Sequence, residues 1–127
     1  MVLKDNTFQL SGYRLPTEFE WDNATGDLSI LIEYDSTIPT FASVGDTANK
    51  TTHAVGSLMP NRFGLFDMCG NISELTIRND ALTSKSQSFR GGSVKTKLEY
   101  LRDGLQSFSA TSYSIPSFGF RVSRIIN

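Results

Sequence analysis

The sequence predicts a loop-rich α+β domain, with one short helix near the N-terminus followed by scattered short strands. Three patterns carry that prediction. Thr17-Glu18-Phe19-Glu20, directly after Pro16, is a capping box: the Thr17 hydroxyl accepts an N–H at the helix start and Glu20 reaches back. Leu28, Ile30, Ile32 and Tyr34 alternate with Ser29, Leu31 and Glu33, the period of a strand with one buried face. Two glycine-marked runs close the chain, Ser88-Phe89-Arg90-Gly91-Gly92-Ser93-Val94 and Phe118-Gly119-Phe120-Arg121-Val122, and both read as strands.

Each element has its own justification. The helix is short because Gly26 ends it, and Phe19 and Trp21, two positions apart, do not share a helical face. Residues 35–57 are rich in Asp, Ser, Thr, Gly and Asn, so they read as a long surface excursion anchored only by Phe41, Val44 and Val55. A loop of that length binds something or is held by something. In 88–94 the glycines mark a bulge or a close approach of backbones, while 118–122 is the closing strand.

Composition bounds the function. The 127 residues form a single domain over 1–127, with an 11% aromatic fraction that fills a core without staples. Twelve basic and thirteen acidic side chains leave a net charge of −1, which steers neither nucleic acid nor an anionic membrane toward it. No apolar run suits a membrane span, and Met1-Val2-Leu3-Lys4-Asp5-Asn6 lacks the apolar stretch of a signal peptide, so a soluble chain without membrane insertion is expected.

Pro60-Asn61-Arg62-Phe63-Gly64-Leu65-Phe66-Asp67-Met68-Cys69-Gly70-Asn71-Ile72-Ser73-Glu74 is the most informative stretch. It sets Asp67, Gly70 and Glu74 in one tight turn. Calcium takes six to eight oxygens, and the Asp67 and Glu74 carboxylates with the Gly70 and Ile72 carbonyls supply a good share. The alternative is that Asp67 and Asn71 only bond nearby backbone N–H groups, as turn residues do. Cys69, the single thiol, lies inside this turn with no strong base or cation nearby, so it is read as a small hydrophobe. His53 is read as a solvated loop histidine.

Gly12-Tyr13-Arg14-Leu15-Pro16-Thr17-Glu18-Phe19-Glu20-Trp21, the Pro60 to Glu74 stretch, Arg90-Gly91-Gly92-Ser93 and Gly119-Phe120-Arg121-Val122 occur in this order. In them the chain resembles, from about Gly12 to Val122, the formylglycine-generating enzyme family, also called the sulfatase-modifying-factor domain. The resemblance implies a C-type-lectin-like fold whose N-terminal portion has no counterpart here. It also implies a structural calcium ion on Asp67, Gly70, Ile72 and Glu74. The family's enzymes oxidise a substrate cysteine with a copper-binding cysteine pair between the Gly-Gly-Ser and Gly-Phe-Arg motifs. Residues 94–118 contain no cysteine, and Thr96, Leu98 or Ser107 cannot replace the soft thiolates that select Cu(I). No oxidase activity is therefore expected. The family's Trp-Glu-Trp stands here as Ser73-Glu74-Leu75, and the Trp after its Gly-Gly-Ser as Val94.

Residues 94–118 suggest a binding surface instead. Tyr100, Phe108 and Tyr113 lie among Ser107, Ser109, Ser112 and Ser114, with Arg102 and Asp103 at the centre, and rigid aromatics among small hydroxyls suit recognition. Ordinary strand and loop residues remain the alternative. The expected function is a non-catalytic binding or display domain for a protein or glycan ligand, on the analogy of phage tail tips and retroelement-diversified proteins of this fold. Such a domain belongs on a virion or cell surface, alone, as a homo-oligomer or in a larger assembly. Two further readings stay open: an oxidase whose thiols come from another chain, and a structural subunit completed by a partner chain.

Overall fold

The computed structural model describes residues 12–26, 38–45, 48–78, 87–97, 100, 107–109 and 118–124. The capping box forms. Thr17 is the N-cap of helix α1 (Glu18–Thr25): its hydroxyl accepts the Glu20 N–H while Glu20 accepts the Thr17 N–H, and Gly26 closes the helix with φ of 79°. The helix buries Trp21, 2% exposed, and turns Phe19 outward, as their two-residue spacing requires.

Short strands follow. β1 (Tyr13–Arg14) pairs antiparallel with β8 (Ser123–Arg124), which brings the two ends of the described chain together. α2 (Ile38–Phe41) runs into β2 (Ala42–Ser43), which pairs parallel with β3 (Cys69–Gly70). The main sheet has four strands in the order β6 (Ser107–Ser109), β5 (Gln87–Arg90), β4 (Ser73–Thr76) and β7 (Phe118–Phe120). β4 is antiparallel to β5 and parallel to β7. The domain is thus a mixed α+β, loop-rich fold, as the sequence predicts.

Three expectations need correction or relocation. Residues 35–57 are not all surface excursion, since β2 enters the core beside Val44, which is fully buried as the anchor the sequence names. Val44 packs with Trp21 and Met68, and Ala42 with Cys69. Val55 is no anchor at 83% exposed. The closing strand stops at Phe120, and after two residues β8 begins in a different sheet, with Phe120 and Val122 facing outward and Arg121 turned in. The strand predicted over Leu28–Tyr34 lies outside the described residues. Among the described residues no helix is long and apolar enough to cross a membrane.

Gly70 sets how closely β2 and β3 approach. It has φ of 86°, and a Cβ there would lie 2.0 Å from the Ser43 carbonyl oxygen, so the turn after β3 closes only on glycine. Asn71 follows in the same left-handed region at φ of 60°, where asparagine is tolerated, and its N–H donates to that Ser43 carbonyl. This pair of residues fixes the turn on which the candidate site stands.

Candidate functional site

Two polar constellations meet at this turn. The first ties helix to sheet: Arg90, 1% exposed, donates from Nε to Asp22 Oδ1 at 2.9 Å and lies 3.2 Å from Glu18 Oε1, which also accepts from Ser88 Oγ at 2.5 Å. Beside it, Glu74 in β4 is buried and fully engaged. Trp21 Nε1 donates to its Oε2 at 2.7 Å, and Arg121 donates Nε to Oε2 at 2.9 Å and Nη2 to Oε1 at 2.8 Å. Glu74 in turn raises the Arg121 pKa, through that hydrogen bonding first and its charge second. A half-buried arginine and a buried carboxylate in a forked pair satisfy each other's lone pairs and N–H groups.

The second constellation is the Asp67 turn and the loop lying on it. Asp67 has φ of 55° and accepts the Gly56 N–H on Oδ2 at 2.7 Å. Asn71 accepts the His53 N–H at 3.2 Å and donates Nδ2 to the His53 carbonyl at 3.3 Å. The acid and the amide of the turn, Asp67 and Asn71, therefore hold a loop 11 and 18 residues away. His53 is not the solvated loop residue the sequence suggests. Its side chain is 24% exposed, and Nε2 is buried 3.8 Å from Asp67 Oδ1, with neither atom hydrogen-bonded.

Asp67, Gly70, Ile72 and Glu74 line one cleft of about 440 Å³, with Val55, Leu65, Phe66 and Phe120 as its apolar walls and Arg121 over Glu74. The structure thus gathers all four residues that the sequence assigns to a cation. Their availability differs. Asp67 Oδ1 is buried and unpartnered, whereas a cation taking Glu74 must compete with Arg121 and Trp21. Calcium's all-oxygen shell is then left with one side-chain oxygen of Asp67, and main-chain carbonyls or water for the rest.

The other assigned residues fall apart from this cleft or outside view. Tyr100 is exposed, its N–H donating to the Lys97 carbonyl at 3.0 Å. Phe108 belongs to β6 on the edge of the main sheet. Arg102, Asp103 and Tyr113 lie outside the described residues. Cys69 is buried on β3, and burial pushes its thiol up to about 12, which leaves it inert as a nucleophile. His53 was misread as solvated and the cleft walls were not recognised in the sequence, because their signal is spatial.

A loop-rich α+β domain with an unpartnered buried carboxylate oxygen in its turn and a single shielded thiol is the class these features define. The profile of the family described as "Sulfatase-modifying factor enzyme 1-like domain" matches residues 5–126, and the chain belongs to that family. Among solved structures, "Treponema denticola variable protein 1" superposes with TM-score 0.76 at 24% identity, over 91% of this chain and 49% of that one. CarF matches with TM-score 0.69 at 30% identity, over 92% and 49%, and PvdO from Pseudomonas aeruginosa with 0.67 at 25%, over 87% and 51%. The chain spans about half the length of these neighbours. No curated protein sequence matches it.

Proposed function

We propose that this chain is a binding or display domain that uses the sulfatase-modifying-factor fold without its cysteine oxidation. The carrying observation is the thiol inventory. One cysteine in 127 residues, buried and pushed up to about 12, supplies no thiolate pair for Cu(I). The fold likeness to a protein named as variable supports display, and the ligand, a protein or glycan on a host or partner surface, meets the segment carrying Tyr100, Arg102, Asp103, Phe108 and Tyr113. Tyr100, which is exposed, and Phe108 of β6 are the described parts of that segment. A cation stiffening the Asp67 turn belongs to the same proposal.

Two measurements test it. A Cu(I) titration against a chromophoric chelator, with oxygen uptake in the presence of a cysteine peptide, is expected to show neither binding nor turnover; either one favours an oxidase completed by another chain. A glycan and peptide array probed with the parent and with Tyr100→Ala, Arg102→Ala and Tyr113→Ala should lose signal by about tenfold per hot-spot residue, about 1.4 kcal/mol. Equal binding by the triple variant rejects the surface.

A second reading has its own observation. The neighbours are about twice as long, and Phe120 and Val122 are exposed beside the cleft. A structural subunit completed by another polypeptide would cover them.

A further inference from the structure

We propose that His53 Nε2 and Asp67 Oδ1 form a site for a borderline divalent transition ion of the zinc or cobalt type, rather than for calcium. The inference rests on the cation-stiffened turn proposed above and names its metal class.

The tautomer of His53 follows from its neighbours. Nδ1 lies 2.8 Å from the Ala54 carbonyl oxygen, which only accepts, so Nδ1 carries the proton and donates it there, with Ser57 Oγ also at 2.8 Å. In the neutral ring Nε2 is then a bare lone pair, and only in the imidazolium does it carry a proton toward Asp67. It faces a carboxylate oxygen, Asp67 Oδ1, at 3.8 Å, and both atoms are buried without a partner. Two acceptors turned on each other in a buried place are each unsatisfied, and a cation between them satisfies both.

Distance and surroundings select the cation. Two ligands about 2.0 to 2.2 Å from one zinc ion stand at most about 4.2 Å apart, and about 3.4 Å at the tetrahedral angle, so a separation of 3.8 Å lies within one coordination shell. A ring N–H given to a backbone carbonyl is also how metal-binding histidines are usually held. Calcium takes oxygen and gains little from imidazole, whereas imidazole with carboxylate suits zinc and its neighbours. Asp67 is held in place by the Gly56 N–H on its other oxygen, with its side chain 9% exposed, and Asn71 grips the His53 backbone from both sides. Both ligands are thereby fixed before the metal arrives. Among the described residues no third His, Cys, Asp or Glu joins them, so water or an incoming ligand completes the shell.

The test is metal-dependent stability and spectroscopy on the chelator-stripped chain. Zn2+ is expected to raise the Tm by about 3 °C or more and Ca2+ at equal concentration by less than about 1 °C. Co2+ should give visible d–d absorption that Zn2+ displaces, and His53→Gln and Asp67→Asn should each weaken Co2+ binding at least tenfold. The cobalt spectrum of the parent decides even if a variant fails to fold. Absence of cobalt absorption and of a zinc shift overturns the proposal, as does a zinc shift that His53→Gln leaves intact. A calcium shift that survives His53→Gln assigns the turn to an all-oxygen site instead, and array binding that persists whichever metal is supplied keeps the display reading separate from this result.

Discussion

Glu74 and Asp67 line the same cleft and have opposite electrostatic situations. Glu74 receives three donors, from Trp21 and Arg121, and no oxygen is left over. Asp67 receives one, from Gly56, and keeps a buried oxygen without a partner. The difference teaches which carboxylate is architecture and which has an oxygen to spare. A satisfied acid is costly to remove and offers little to a ligand, while an unsatisfied one already carries its desolvation cost and gains from any cation that arrives.

The largest effect should therefore come from Glu74→Ala. It leaves the Arg121 guanidinium without its counter-ion and the Trp21 indole N–H without its acceptor; with Arg121 partly open to solvent, the cost falls toward the lower end of the about 3–5 kcal/mol of a fully buried pair. Urea denaturation of the parent and variant measures it. A loss no larger than that of Asp67→Ala would break the contrast between the two acids.

The contrast was only partly legible in the sequence. Helix α1 was readable because its start signal is local: Thr17 and Glu20 are three residues apart, and both bonds of the box form. The inert Cys69 and the family likewise followed from short motifs. The fate of Glu74 was not readable, because its partners sit 53 and 47 residues away and no local pattern announces them. Residues 42–43 were misread for a similar reason. A polar-looking stretch hides a two-residue parallel pairing, Ala42 to Cys69 and Ser43 to Gly70, too short to carry a strand period. Phe120 and Val122 misled in the other direction, since the inward residue between them is Arg121, held by Glu74.

A smaller effect sharpens what a satisfied acid contributes when it is nearer the surface. Thr17→Ala removes the acceptor of the Glu20 N–H but leaves Glu20 its bond to the backbone N–H of residue 17. A loss of about 1 kcal/mol is expected, the usual worth of an N-cap hydroxyl. Asp67→Asn ranks below it. In the chelator-stripped chain the amide can keep the Gly56 bond through its oxygen, so urea denaturation should show a change within about 0.5 kcal/mol. A loss as large as that of Glu74→Ala would make Asp67 architecture too.

The smallest effect is expected from Glu20, an acid that is satisfied but open to solvent. Arg14 donates to both of its oxygens, at 2.6 and 2.5 Å, and this hydrogen bonding is the main cause that lowers its pKa from 4.5 to about 2. Because the folded value lies below the ordinary one, the stabilisation is fully present above pH 4.5 and is lost as pH falls toward 2. The Glu20 side chain is 39% exposed, so solvent screening cuts its worth to a few tenths of a kcal/mol. Other carboxylates titrate in the same window, which makes the difference between parent and Glu20→Gln the useful quantity. That difference should favour the parent at pH 6, shrink by pH 2.5, and shrink also at pH 6 in 1 M salt, about where the Debye length falls to 3 Å. A difference unmoved by acid and by salt would show that Glu20 acts through neutral hydrogen bonds at the helix cap, and its pairing with Arg14 would then contribute nothing measurable.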